Sequence, residues 1–157
     1  MTLVAEYREA RQREDESRLR RVIAIRAMLA TGLSQRQVGE ALGISQPAVS
    51  QQLRNSPDLE AASPDRLFAA AAPVLKVLAE QNGYRRLAVF GSVARGESRE
   101  DSDIDLLVDA PPDTSSFEFV RFKLLVERVL GREIDLISYG GLQPGFDEDI
   151  RRDAVLL

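Results

Sequence analysis

The stretch GSVARGESREDSDIDLLV, residues 91–108, decides how the back half of this chain is read. It begins where one apolar run, RRLAVF (85–90), stops, and it ends in another, IDLLV (104–108). Both runs have the length and composition of buried strands. Residues i and i+2 of a strand share a face, so Asp103 and Asp105 project together, about 6.5 Å apart along it. Charges in such surroundings are costly unless something pairs with them.

A third apolar run, REIDLIS (132–138), repeats the pattern. Glu133, Asp135 and Ile137 share one face, and Ile134 and Leu136 take the other. If this strand neighbours 103–108, Asp135 lies across from Asp103 and Asp105, since adjacent strands are about 4.8 Å apart. Three carboxylates would then converge and repel one another unless a cation joins them. Two divalent ions there can clamp the attacking and leaving oxygens of a phosphoryl displacement. The chain has no histidine and no cysteine, so a metal site must be built from oxygen. Oxygen ligands favour Mg²⁺, Mn²⁺ or Ca²⁺ over zinc.

Gly91 and Ser92 supply the other half. Glycine lets a backbone approach a phosphate closely, and the N–H groups after it, with the Ser92 hydroxyl, can hold polyphosphate oxygens. Arg95 is a further candidate for a phosphate contact. A lone Gly-Ser after a strand reads as a turn, and a lone Asp-x-Asp as a solvated strand end. The joint pattern is far more specific: Gly-Ser, ten residues, Asp-x-Asp in an apolar strand, then Asp135 in another.

That pattern resembles the minimal nucleotidyltransferases of the DNA polymerase β superfamily, over about residues 65–157. Gly91, Ser92, Asp103 and Asp105 match the family signature, and Asp135 matches its third carboxylate. The resemblance implies a polymerase β-like fold with a small mixed sheet and flanking helices. It implies that Asp103 and Asp105 bind two Mg²⁺ (or Mn²⁺) ions and that Asp135 completes the site for the attacking hydroxyl. ATP is then the expected substrate. Many members are antitoxins that transfer AMP onto a tyrosine of a HEPN-type RNase toxin. A regulator that only senses nucleotide or docks a partner is an alternative. So is a transferase acting on a small molecule such as an aminoglycoside, although the short back half leaves little room for an acceptor domain.

The front of the chain has another character. Residues 1–57 carry 9 Arg against 6 Asp and Glu, whereas residues 58–157 carry 12 Lys and Arg against 19 acids. A basic front and an acidic back suggest two units with different partners. Residues 3–30 contain neither Gly nor Pro and read as one helix, with Leu19, Val22, Ile23, Arg26 and Leu29 along a stripe. Its charged first half is either a solvated arm or a dimerisation helix.

The segment LSQRQVGEALGISQPAVSQQLRN (33–55) then reads as helix, tight turn, helix. Ser34 and Ser45 are N-caps, Gly43 suits the turn, and Pro47 lies in a first helical turn. Val38, Ala41, Leu42, Val49 and Leu53 are the expected buried face. The segment resembles helix-turn-helix modules of bacterial regulators. Gln46, Ser50, Gln51 and Arg54 are then the expected DNA contacts, expected to read the protein's own operator as a dimer. A three-helix packing module that touches no DNA is the alternative.

The expected organisation is thus α+β in two domains. Residues 1–57 form an all-α helix-turn-helix region, 58–64 a linker, and 65–157 the transferase domain. The helix from Pro64 to Gln81 should kink or break at Pro73. Residues 117–130 should be a helix with Val120, Leu124 and Val129 among its apolar positions, and 146–157 a closing helix. With no apolar run of about 18 residues and no apolar leader, a cytoplasmic protein without membrane contact is expected.

Overall fold

The computed structural model describes residues 1–145 and 147–157. The helical front consists of α1 (Leu3–Ala30), α2 (Gln35–Leu42) and α3 (Gln46–Arg54). Caps set their boundaries. The Thr2, Ser34 and Ser45 side chains accept from the third residue beyond, and at α2 the Gln37 side chain returns the bond to close a capping box. Gly43 ends α2 in the left-handed conformation at φ 71°.

α1 has two working faces. Leu19, Ile23 and Ala27, at i, i+4, i+8, enter the main core of the molecule. Ile25 packs instead with Val38 and Val49, with Met28, Leu29, Ile44 and Leu53 around them. One helix therefore joins α2 and α3 to the rest of the chain. Ala41 and Leu42 are exposed, contrary to the expected face, because α2 turns Val38 toward Ile25 of α1 and Gly39 toward the backbone of residues 44–46. The first three turns of α1, through Glu14, are mostly exposed.

Residues 55–63 connect α3 to α4 (Pro64–Gln81). The connector is pinned where Leu59 enters the main core. α4 runs unbroken through Pro73. Pro73 and Ala69, whose carbonyl the missing N–H would have served, both lie on the exposed side, where water can take that bond.

The sheet holds β1 (Arg85–Phe90), β2 (Ile104–Asp109), β3 (Ile134–Ser138) and β4 (Val155–Leu156), in the order β3-β2-β1-β4. β2 and β3 run parallel, while β1 is antiparallel to both β2 and β4. A small mixed sheet is what the sequence predicted. The single-turn helix α5 (Gly91–Ala94) follows β1, and α6 (Ser116–Leu130) crosses from β2 to β3.

α6 buries Phe122, Val126, Leu130 and, as expected, Val129, but leaves Val120 and Leu124 exposed, so those two expected positions are corrected. The closing helix is shorter than expected. α7 spans Glu148–Asp153, and Val155–Leu156 instead pair with Val89 and Ala88 on β1. The free edge of β1 offers ladder bonds there, and β-branched Val155 suits them. Phe146, expected in that helix, lies outside the described residues. Among the described residues, no helix is long and apolar enough to cross a membrane.

Candidate active site

Sheet register brings the carboxylates together. Asp105, the second residue of β2, stands directly beside Asp135 of β3 on one side and Phe90 of β1 on the other. Its neighbours along the strand, Ile104 and Leu106, point into the main core and are fully buried, so Asp105 must face the opposite side. Asp103 precedes the strand by one residue.

Asp105 is half-buried, whereas Asp103 and Asp135 are exposed. Burial is the largest cause pushing the Asp105 carboxyl up to about 6. A hydrogen bond shared with Asp135, then the charges of Asp135 and Asp103, push it the same way, and Arg95 opposes them. Two acidic neighbours thus act on a single carboxyl.

Gly91 explains how tightly that carboxyl is packed. Its φ is 71°, and a Cβ there would lie 2.2 Å from Asp105 Oδ2. No side chain can occupy this position without displacing the carboxylate. The glycine of the Gly-Ser pair is therefore fitted against Asp105 itself, in addition to any approach it allows a phosphate. Ser92, half-buried, sits in the first turn of α5. Phe90 at the cap position offers no side-chain acceptor to that turn, so its leading amides lack the usual cap.

Arg95 follows this turn but is engaged. It donates to Asp153 Oδ2 at 2.8 Å and to Glu97 Oε2 at 3.1 Å. A phosphate would have to compete with both carboxylates for it. Asp153, near the end of α7, carries no sequence signal for this role.

The residues fit a hard divalent cation by their chemistry. Their donors are carboxylate oxygens only, and Asp105 is held close to two like charges. As they stand, the acidic groups among the described residues do not close into a three-ligand cage. Asp105 and Asp135 lie inside the ladder and Asp103 lies just outside it.

The second group of predicted residues lies on α3, where Gln46, Gln51 and Arg54 are exposed and Ser50 is partly covered. The Gln46 amide donates to Gln35 Oε1 at 2.7 Å, tying the start of α3 to the start of α2. Val49 and Leu53 turn inward as predicted.

A model of the nucleotidyltransferase domain family matches residues 73–157, more than half of the chain. A "Putative protein adenylyltransferase" of Methanocaldococcus jannaschii is 40% identical over 75 residues, which is 48% of this chain and 81% of that one. The protein adenylyltransferase MntA of Thermococcus cleftensis is 39% identical over 80 residues, 51% of this chain and 81% of its own. A solved structure described as a "putative minimal nucleotidyltransferase" is 42% identical, with a TM-score of 0.52, and covers 66% of this chain and 99% of its own. The chain belongs to the nucleotidyltransferase domain family and is a transferase.

Proposed function

We propose that this nucleotidyltransferase transfers AMP from ATP to a protein hydroxyl, with Mg²⁺ or Mn²⁺ bound by Asp103, Asp105 and Asp135. The observation that carries the reading is the fit of Gly91 against Asp105 beside Asp135. The similarity to proteins named protein adenylyltransferases supports the same reaction. A bound divalent ion would neutralise charge developing on the triphosphate.

The reaction is an in-line displacement at the α-phosphorus. A bond forms from the acceptor oxygen to that phosphorus, the bond to the β-phosphate oxygen breaks, and pyrophosphate leaves. Gly91 and Ser92 hold the departing phosphates through the amides of α5 and the Ser92 hydroxyl. The Asp135 carboxylate, at the open side of the site, draws the hydroxyl proton as the new bond forms. With no histidine in the chain, a carboxylate is the natural choice.

The domain is too small to enclose its acceptor, so a partner protein must bring it. We take that partner to be an RNase toxin of the HEPN type and the acceptor to be one of its tyrosines, which makes this chain a cytoplasmic antitoxin. The helical front would bind the operator of the same operon through Gln46, Ser50, Gln51 and Arg54, as a homodimer. Intact-mass spectrometry of the co-encoded protein after incubation with this chain, ATP and Mg²⁺ tests the reading. Added AMP is the expected result. An unmodified partner under conditions where ATP binds would sink it and favour a nucleotide sensor.

A further inference from the structure

Asp103 differs from Asp105 and Asp135 in how it is held. Asp105 and Asp135 lie inside paired strands, but Asp103 precedes β2 and pairs with nothing in the ladder. Its direction depends on the turn just before it. In that turn Ser102 N donates to the Arg99 carbonyl at 3.0 Å, and Arg99 N donates to Ser102 Oγ at 2.7 Å.

Arg132, two residues ahead of β3, grips this turn from outside. Its Nη2 donates to the carbonyls of Glu100 and Ser102, both at 3.4 Å. Its Nη1 donates to the carbonyl of Ala62 in the connector at 3.1 Å. One side chain thus joins the approach to Asp135, the approach to Asp103 and the segment leading out of the helical front. A guanidinium can do this because its donors form a rigid planar fork. A lysine ammonium at the same place is a compact point charge and cannot span both segments equally well. Asp103 and Arg132 also line one open cleft with Glu60 and Glu133.

We propose that Arg132 is a positioning residue for the transfer reaction. It fixes the turn 99–102 so that Asp103 faces Asp105 and Asp135, and it anchors that turn to the connector. The proposal rests on the reading of Asp103 as a metal ligand. A purely structural arginine would affect melting and leave metal affinity alone.

The test uses the full chain with a non-hydrolysable ATP analogue. Mn²⁺ is titrated and the free ion is read by electron paramagnetic resonance. Hydrogen exchange of the amides 99–103 and thermal melting are followed on the same samples. Arg132→Met should weaken Mn²⁺ binding about tenfold, the low end of what losing an outer-shell partner costs. The same amides should exchange several times faster, and Arg132→Lys should fall between Met and wild type. Melting should stay within a few degrees in both variants.

Wild-type Mn²⁺ affinity and wild-type exchange in both variants would overturn the proposal. So would the unfolding of both, since Arg132 would then belong to the fold rather than to the turn. Asp103→Asn is the reference. If it binds Mn²⁺ as wild type does, the reading of Asp103 fails, and the exchange of amides 99–103 alone decides whether Arg132 holds the turn.

Discussion

Ser45 and Pro47 open α3 in conformations those residues prefer, whereas Asp105 is held half-buried beside Asp135 and Asp103 in an arrangement that like charge opposes. Around α2 and α3 the caps, the left-handed Gly43 and the inward Val38 and Val49 all lower the free energy of the same local fold. The exposed Gln51 and Arg54 could change without disturbing it. Around Asp105 a half-buried carboxyl and two neighbouring like charges occur together. Such costs persist when the arrangement serves something outside the free protein. The contrast teaches that a fold can be read with ease where its function cannot, and that local conflict is the better pointer to chemistry.

The contrast is broken or sharpened most strongly at Asp105. Asp105→Asn should lower transfer by about 10³ or more, the scale of losing a preorganised charge contact. In the metal-free protein the same change should leave the fold intact and raise the melting temperature near neutral pH, since it removes one of three repelling charges. A melting temperature that falls would place Asp105 among the stabilising residues and erase the contrast.

Gly91→Ala comes next. The left-handed backbone costs a non-glycine residue about 1–2 kcal/mol, and the added carbon displaces the Asp105 carboxylate. Transfer should fall about 100-fold, as expected of misplacing a catalytic group by about 1 Å. Gly91→Ala with unaltered turnover would show that the close contact has no role.

On the helical front, Gln51→Ala and Gln46→Ala should each weaken operator binding about tenfold in gel-shift titrations, the value of one good base contact. Binding to random DNA should change little, and melting should move by no more than about 0.5 kcal/mol equivalent. Equal affinity for operator and random DNA, indifferent to both substitutions, would remove DNA reading from this face.

The smallest effect is a pH dependence of the metal-free protein. The Asp105 carboxyl is pushed up to about 6 in the fold, above the value of about 3.9 in an unfolded chain. The folded state therefore binds more protons between those values. Its contribution is fully present below about pH 4 and is lost as pH rises through about 6. Solvent screening of this half-exposed group limits the effect. The melting temperature should drop by roughly 2–4 °C from pH 4 to 7 on this account, the shift that about 1 kcal/mol gives in a chain of this length. Asp105→Asn should abolish that part of the dependence.

How much was legible in the sequence follows the same division. The starts of α2, α3 and α4 could be read because Ser34, Ser45 and Ser63 each cap a turn using atoms three residues apart. The Gly91–Asp105 spacing was legible because two strands and a turn fix it. Features set by distant partners were not. Pro73 is tolerated because of which side of α4 it occupies, and Val155 joins a strand because β1 has a free edge. The two faces of α1, and the grips of Arg132 on Ala62 and of Asp153 on Arg95, depend on residues far away in the chain.

The central claim is that Asp103, Asp105 and Asp135 together hold a metal–nucleotide complex against the Gly91–Ser92 turn. Calorimetric titration of the full chain with Mg²⁺ and a non-hydrolysable ATP analogue tests it most directly. Wild type should bind the pair cooperatively, each tightening the other, and the double variant Asp103→Asn with Asp105→Asn should lose at least a hundredfold in affinity, at the scale expected for removing charged partners. Binding of the analogue and Mg²⁺ by the double variant with wild-type affinity would contradict the account and move the site elsewhere.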